Sequence, residues 1–320
     1  MRIARQVVLG AVIALASFAQ ALAQDWPTHS VTVVVPIPAG VASDIIARVV
    51  FEQVGKQVGQ SFVIENRPGA GGTIGANMVA KAAPDGHTIL VYGSIAAANA
   101  LYARLPYDTV ADFTPVVPFG ETPLVVVTPV GRYNTLAELI AAAKAKPGEL
   151  NYSTVGIGSA AHFGAVRLAV SAGITAQHIP FKGPEWLADT IAGRVDFAVP
   201  PVTTVLGPIR DGKLNALAVG AVKRAASLPD VPTLIEAGLK ADAIYPFYTG
   251  AYLPARTPRA IVDKLHDEVV KALAVPSVQE RLAQIAVEKL PMTVAEFNRF
   301  FKDDVAANLE LVRAANIPRQ

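Results

Sequence analysis

Apolar and polar residues along the first hundred positions follow two alternating patterns. Short runs rich in valine, isoleucine and leucine are followed by longer runs in which apolar residues recur every three or four positions. The first pattern is typical of buried strands and the second of amphipathic helices. The patterns predict strands at Val31 to Val35, 61–65 and 87–92, and helices at 44–57, 73–83 and 97–103.

A second series of the same kind occupies the middle of the chain. A predicted strand at 124–128 leads to a helix that begins after Thr135, with Glu138 three residues later, which is the spacing of a capping box. The series continues with predicted strands at 150–155, 178–181, 195–199 and 214–222, and helices at 160–172, 185–192 and 203–211. Strands that alternate with helices favour parallel sheets covered by helices, so the sequence predicts an α/β fold.

The last third of the chain is predicted to be helical, with amphipathic runs at 258–273, 276–285 and 293–313. Breaks at Pro115 to Pro123 and around 240–250, the second ending a proline-rich loop that starts near 223, are predicted to delimit a middle block. If the last helices pack back on the first block, the chain crosses twice between two lobes. The predicted lobes are 24–122 plus 249–320, and 123–248. A cleft between them would suit a small ligand.

The first 23 residues have the pattern of a secretory signal. Arg2 and Arg5 precede an apolar run, and Ala21 and Ala23 form a small-x-small cleavage site. The run is short for a membrane span, which needs about 20 residues. We therefore expect a cleaved signal peptide at 1–23 and an exported protein, with an uncleaved anchor as the alternative.

Composition excludes several classes of function. Two of the 28 Lys and Arg residues lie in the predicted signal, which leaves 26 against 26 Asp and Glu, and this balance does not indicate binding to nucleic acid or to an anionic membrane surface. The chain has no cysteine, so it has neither a disulfide nor a thiol nucleophile. The five histidines lack metal-ligand spacing, and we expect no metal and no cofactor.

The loop after the first predicted strand, Pro36 to Asp44, allows two interpretations. Ser43 or Asp44 suits the N-cap position of the helix that follows, and a cap alone would explain them. The start of that helix also carries free backbone N–H groups and the positive end of the helix dipole, which together can hold a carboxylate or a phosphate.

A glycine-rich stretch, Glu65 to Ala76, stands between the second predicted strand and the second helix. Its spacing, G-x-G-G-x-x-G, departs from the dinucleotide fingerprint, and the expected acidic residue about 20 positions later is absent. We therefore expect close backbone packing and a second helix start at the same cleft.

The corresponding stretch of the second series, Asn151 to Ala165, contains Ser159 three residues before His162. This pair suggests a hydrolase, but there is no G-x-S-x-G elbow to expose a serine nucleophile. We expect Ser159 to cap the helix and His162 to lie on its polar face. Several aromatic residues allow either a pocket wall or a core position: Trp186, Tyr245, Phe247, Tyr248 and Tyr252.

Taken together, these stretches resemble the tripartite tricarboxylate transporter receptor family, also called Bug-type solute-binding proteins. The resemblance covers nearly the whole chain after the signal. It rests on "VTVVVPIPAGVASDIIAR", "VIENRPGAGGTIGANMVAKAAPDGHTIL", "LPYDTVADFTPV", "AKPGELNYSTVGIGSAAH", "HIPFKG", "DGKLNALAV" and "LPDVPTLIEAGL", all in the family's order.

The resemblance implies a periplasmic, non-enzymatic receptor with the type II, Venus-flytrap fold, expected to be a monomer. Such a receptor captures a small organic carboxylate and presents it to membrane permease subunits. The family's two ligand loops map onto Ile37 to Asp44 and Ser153 to His162, and Ser94 matches a further position facing the cleft. The expected ligand-binding residues are Ile37, Pro38, Gly40, Val41, Ala42, Ser43, Asp44, Ser94, Ser153, Thr154, Gly158, Ser159, Ala160, His162, Pro200 and Tyr248.

Three departures from the family pattern concern the ligand. Ile37 stands where the first loop usually has a phenylalanine, and Val41-Ala42 occupy its glycine region. Pro200-Pro201 replace an acid or amide, and Ile157 replaces an asparagine. These changes predict an apolar pocket, and hence a carboxylate with an apolar body, such as a longer dicarboxylate or an aromatic acid. The alternatives are a ligand sensor for a signalling partner and an exported Ser/His hydrolase.

Overall fold

The computed structural model describes residues 26–93, 95–314 and 317. The predicted signal peptide at 1–23 and the predicted site residue Ser94 lie outside the described residues. The described part of the chain forms two five-stranded sheets with helices packed against them. None of its helices is both long and apolar enough to cross a membrane.

The first sheet has the strand order β2-β1-β3-β10-β4. Its strands are β1 (Val31–Val35), β2 (Phe62–Asn66), β3 (Thr88–Tyr92), β4 (Phe113–Glu121) and β10 (Tyr248–Pro254). β1 pairs in parallel with β2 and β3, whereas β10 runs antiparallel to β3 and β4. Four of the five residues of β1 are buried, as expected for a central strand covered on both faces.

The second sheet repeats this arrangement with the order β7-β6-β8-β5-β9. Its strands are β5 (Leu124–Pro129), β6 (Asn151–Thr154), β7 (Gln177–Pro180), β8 (Phe197–Ala198) and β9 (Leu214–Gly220). β6 is parallel to β7 and β8, and β5 is antiparallel to β8 and β9. We call the unit built on the first sheet lobe 1 and the unit built on the second sheet lobe 2.

The helices alternate with the strands and then close the chain. They are α1 (Ala42–Val58), α2 (Thr73–Ala80), α3 (Ile95–Leu101), α4 (Leu136–Ala145), α5 (Ala160–Ala172), α6 (Glu185–Ile191), α7 (Val202–Arg210), α8 (Arg259–Ala274), α9 (Pro276–Gln284) and α10 (Val294–Ala314). The last helices pack on lobe 1, because α8 contacts α1 and β4, and α10 contacts β4 and α3.

The chain passes between the lobes after β4 and again before β10. The two passages are adjacent, since Thr122 N donates to Phe247 O at 2.8 Å. The predicted lobe boundaries, 24–122 plus 249–320 and 123–248, stay a prediction.

Two local predictions were wrong. Residues 115–121 belong to β4, although they were predicted to break the chain. β4 lies at the sheet edge, where prolines are tolerated because the outward N–H positions need no ladder partner. The N-cap of α1 is Val41, whose backbone is extended and which has no side-chain cap, and not Ser43 or Asp44, which lie inside the helix. The Asp44 carboxylate instead accepts a hydrogen bond from Gly40 N at 2.9 Å.

The helix start predicted from the capping box is confirmed. Thr135 is the N-cap of α4, and its Oγ1 accepts a hydrogen bond from Glu138 N at 3.2 Å. Glu138 Oε2 in turn accepts from Asn134 N at 2.8 Å. Side-chain capping at both ends of a four-residue segment fixes where the helix begins.

Candidate ligand-binding cleft

A cavity of about 50 Å³ lies between the two lobes. Lobe 1 and the adjoining crossing segment contribute Ile37, Val41, Ala42, Ser43, Tyr92 and Phe247, and lobe 2 contributes Val155, Ser159, Ala160, Ala161, Trp186, Pro200, Pro201 and Thr204. Among the described residues, none that carries a charge lines this cavity. Any anion that it binds must therefore be held by backbone N–H groups and hydroxyls.

The N-terminus of α1 forms the lobe 1 side of the cavity. The N–H groups of Asp44 and Ile45 donate to Val41 O at 3.0 and 3.1 Å, whereas those of Ala42 and Ser43 have no hydrogen-bond partner in the described part of the chain. Ala42 and Ser43 are buried. Buried N–H groups without a partner are costly, and at a helix start they form an anion site.

The carboxylate of Asp44 holds this loop in place from behind. Besides the bond from Gly40, it accepts hydrogen bonds from Arg48 Nε at 3.1 Å and from Asn66 Nδ2 at 2.9 Å. Burial alone would raise the pKa of Asp44, but the hydrogen bonds from Arg48, Gly40 and Asn66 outweigh it and hold the pKa below its usual value. Asp44 is therefore ionised at neutral pH and supports the loop without facing the cavity.

The N-terminus of α5 forms the lobe 2 side. Ser159 is its N-cap, as predicted: Ser159 Oγ accepts from His162 N at 3.3 Å and donates to Gly156 O at 2.8 Å. The next two N–H groups, of Ala160 and Ala161, have no partner among the described residues, and both residues are buried. Two helix starts from opposite lobes thus present free donors to one cavity.

A stack of three rings lies behind the lobe 2 loop. His178 lies between Tyr152 and His162, with ring centroids 4.9 and 4.3 Å away. His178 Nε2 lies 2.6 Å from Thr154 Oγ1, and Thr154 Oγ1 accepts from Gly156 N at 3.1 Å. The ring of His162, which was predicted to bind the ligand, is therefore part of the support of the loop.

Burial keeps both histidines of this stack neutral. Desolvation lowers the pKa of His178 to about 4, and desolvation together with repulsion from His178 lowers the pKa of His162 to about 3. Two imidazolium rings at this separation would repel each other strongly in a medium of low dielectric constant. The stack is consistent only with uncharged rings.

Comparison with known proteins settles the family. The family model described as "Tripartite tricarboxylate transporter family receptor" matches residues 46–317. The chain belongs to this family. The resemblance inferred from the sequence and the two-lobed periplasmic-binding-protein fold are both confirmed.

Relatives and solved structures agree with this assignment. The receptor is 37% identical over 290 residues to the UPF0065 protein in the tcbD-tcbE intergenic region of Pseudomonas sp. strain P51, covering 89% of this chain and 86% of that protein. MatC from Rhodopseudomonas palustris, solved with bound malate, superposes with a TM-score of 0.84 at 32% identity, covering 90% of this chain and all of that one. A second R. palustris protein, solved with adipate, has a TM-score of 0.87 at 31% identity over 92% of this chain and 99% of that one.

The structure brings about half of the predicted site residues of the receptor to the cavity. These are Ile37, Val41, Ala42, Ser43, Ser159, Ala160 and Pro200. The residues that depart from the family pattern at Ile37, Val41-Ala42 and Pro200-Pro201 all line the cavity, as the prediction of an apolar pocket requires. Ile157 does not line it.

The other predicted residues do not line the cavity, and the polar side chains of several of them bond elsewhere. They are Pro38, Gly40, Asp44, Ser153, Thr154, Gly158, His162 and Tyr248. Ser153 Oγ lies 2.8 Å from Thr190 Oγ1, and Tyr248 Oη donates to Asp304 Oδ2 at 3.1 Å in the core of lobe 1.

Sequence reasoning missed part of the cavity wall. Tyr92, Val155, Ala161 and Thr204 line it without having been predicted to. Trp186 and Phe247 also line it, and for these two the sequence allowed a pocket wall but favoured a core position. The missed residues end or follow strands, or begin helices, at the edge that faces the other lobe, which is the one signal that could have found them.

Proposed function

We propose that this chain is an exported periplasmic receptor that captures a small organic carboxylate and delivers it to the permease subunits of a tripartite transporter. One observation carries the proposal: the unpartnered N–H groups of Ala42, Ser43, Ala160 and Ala161 meet at one cavity from opposite lobes. The two similar structures were solved with malate and with adipate, which are both dicarboxylates, and this supports the ligand class.

The ligand that fits best has an apolar body between its carboxylates. Ile37, Val41, Trp186 and Pro200 surround the space between the two helix starts. No acidic side chain of the described residues lines the cavity, so an ammonium group would lack a partner there. The apolar lining therefore suits a longer aliphatic dicarboxylate or an aromatic acid better than an amino acid, and the cavity of about 50 Å³ must widen to admit either one.

Binding and closure are the same event in this proposal. A ligand that bridges both helix starts favours the closed arrangement by the free energy that it adds over the open one. Each partly buried helix N-terminus contributes up to about 2 kcal/mol to holding a charge. Because no arginine or lysine has to be released from the ligand, reopening alone returns it to solution or to the permease.

The rival hydrolase hypothesis finds no support in the geometry. Ser159 Oγ donates to a backbone carbonyl and not to the ring of His162. A histidine whose pKa burial and His178 lower to about 3 is a poor general base at neutral pH. A sensor that docks on a signalling partner would use the same closure, and genomic neighbours distinguish that alternative.

The remaining parts of the proposal concern the whole chain. We propose that residues 1–23 are removed on export, that the mature receptor is a monomer without catalytic activity, and that its lobes comprise 24–122 plus 249–320 and 123–248. The order of the strands along the chain supports these boundaries, since β5 to β9 all belong to the second sheet.

A thermal-shift screen of organic acids tests the ligand class. At 100 times the dissociation constant, a ligand stabilises the folded state by about 2.7 kcal/mol. For a chain of this size that corresponds to a rise of about 4 °C in the unfolding midpoint. We expect this rise with adipate, longer dicarboxylates or aromatic acids. A response confined to citrate or to aspartate would contradict the proposed ligand.

A further inference from the structure

The glycine-rich turn of lobe 1, Gly69 to Gly72, touches the ligand loop of lobe 2. A β-carbon at Gly71 would lie 2.7 Å from Ile157 O and 2.9 Å from Tyr102 Oη. Such a carbon–oxygen distance is well below van der Waals contact, and Ile157 O is a backbone atom that cannot rotate away. With its φ of +60°, Gly71 also has a conformation that favours glycine.

The contact continues along the end of α3. A β-carbon at Gly158 would lie 3.5 Å from Leu101 Cδ1. Ile157 is partly buried in an apolar cluster that contains Ala97, Leu101 and Tyr102 of lobe 1. The loop that begins α5 therefore packs on lobe 1 over an apolar surface that opening of the cleft would expose.

The turn is also connected to the cavity wall. Tyr92 Oη donates to Gly71 O at 2.8 Å, and the ring of Tyr92 lines the cavity. A β-carbon at Gly72 would lie 2.8 Å from that ring. The same turn therefore contacts the wall of the cavity and the loop that closes it.

We propose that the turn Gly69 to Gly72 is the seat on which the lobe 2 ligand loop closes, with Gly71 as the positioning residue and Ile157 as the residue that it receives. This inference rests on the proposed receptor function and adds to it what determines the lifetime of the closed state. Gly69 to Gly72 do not line the cavity, so the effect of the seat is on the equilibrium between open and closed forms.

The test compares two glycine substitutions at similar positive φ angles. Gly71→Ala has a β-carbon against Ile157 O, whereas Gly212→Ala, at a φ of +66°, has nothing within 4 Å of its β-carbon. Stopped-flow measurement with adipate as the probe gives the association and dissociation rates of both variants and of the wild type. Ile157→Ala is a third variant, which removes the apolar contact and keeps the carbonyl.

We expect adipate to dissociate from Gly71→Ala at least about tenfold faster than from the wild type, with an association rate within about twofold. Ile157→Ala should dissociate about three- to tenfold faster, and Gly212→Ala at the wild-type rate. Both glycine variants should unfold in one cooperative transition, and Gly71→Ala should be the less stable of the two because its β-carbon also meets Tyr102 Oη within lobe 1. Wild-type dissociation from Gly71→Ala, or equal acceleration in Gly212→Ala, would overturn the proposal.

A distance measurement separates failure of the seat from failure of the proposed function. Because the chain has no cysteine, Lys81→Cys and Lys144→Cys accept spin labels at exposed positions on opposite lobes. Without any ligand, the label-to-label distance should be longer in Gly71→Ala than in the wild type and unchanged in Gly212→Ala. If neither adipate nor any screened acid binds the wild type, the proposed receptor function is wrong. The comparison of label-to-label distances without ligand still tests the seat in that case. Equal distances in all three proteins would overturn the seat.

Discussion

Replacing Ala42 and Ala160 by proline is expected to abolish most carboxylate binding while leaving the fold intact. Each residue is the first of its helix, and proline is well tolerated there because that N–H has no partner inside the helix. The preceding residues, Val41 and Ser159, have ψ angles of 165° and 159°, which suit a residue before proline. Each substitution removes one of the free donors.

The expected loss follows from the kind of hydrogen bond that is removed. A bond to a charged group contributes about 1.5–3 kcal/mol, which corresponds to roughly 10- to 100-fold in affinity for each substitution. The two donors hold opposite ends of the ligand, so the double variant should lose about 10²- to 10⁴-fold if the effects add. Isothermal titration calorimetry with the acid found in the screen measures the affinities.

Arg259→Pro is the matched control. Arg259 is the first residue of α8, follows a residue with a ψ of 136°, and does not line the cavity. The control should bind with wild-type affinity, and the control, the two single variants and the double variant should all keep the unfolding cooperativity of the wild type. Wild-type affinity in the double variant would show that the ligand is not held at these helix starts.

Acidification from pH 7 to pH 5 is expected to remove about 2–4 kcal/mol of stability through the histidine stack. In the unfolded chain both rings have the ordinary pKa of 6.5, whereas burial lowers the folded pKa of His178 to about 4 and of His162 to about 3. Between pH 6.5 and about 4 the unfolded state therefore binds protons that the folded state does not. The free energy of unfolding that the two neutral rings contribute is fully present above pH 6.5. As the pH falls below 6.5, this contribution decreases by up to about 1.4 kcal/mol per pH unit for each ring. The lower figure allows for solvent screening at His178, which is partly exposed.

Comparison with phenylalanine variants isolates this effect from other titrating groups. His162→Phe/His178→Phe keeps aromatic rings in the stack but cannot titrate. Urea unfolding at pH 7 and pH 5 should show a smaller loss in the double variant by about 2–4 kcal/mol, and each single variant should remove part of the difference. Equal pH dependence in the wild type and the double variant would contradict the assignment of neutral buried rings.

The elements of the fold were predictable because their patterns are local. The periodicity places the strand at Val31 to Val35 and the helix at 160–172 where the structure has them. The capping box at Thr135 is also local, and it gave the start of α4. β4 was missed because its tolerance of Pro115 and Pro118 depends on its position at the sheet edge, which only the assembled sheet determines.

The site was less predictable, because the direction of a side chain depends on distant partners. Asp44 was expected at the ligand, yet Asn66 and Arg48 draw its carboxylate away from the cavity. His162 was expected on a polar helix face, yet His178 from another strand covers its ring. The departure at Ile157 was expected to dry the pocket, whereas the residue instead packs against lobe 1 outside the cavity.

The glycine-rich turn was also only partly predictable from the sequence. The spacing of its glycines argued against a dinucleotide site and in favour of close backbone packing, which the structure shows. The residue that it approaches, Ile157, belongs to the other lobe, and no local pattern in either segment indicates the pairing. Contacts between lobes require the arrangement of both sheets.

A crystal structure with the acid that gives the largest thermal shift tests the central claim most directly. The account predicts one carboxylate within hydrogen-bond distance of the N–H groups of Ala42 and Ser43, another group of the ligand at the N–H groups of Ala160 and Ala161, and an apolar body against Trp186. An acid bound outside this cavity, or held there through a charged side chain with both helix starts left free, would contradict it.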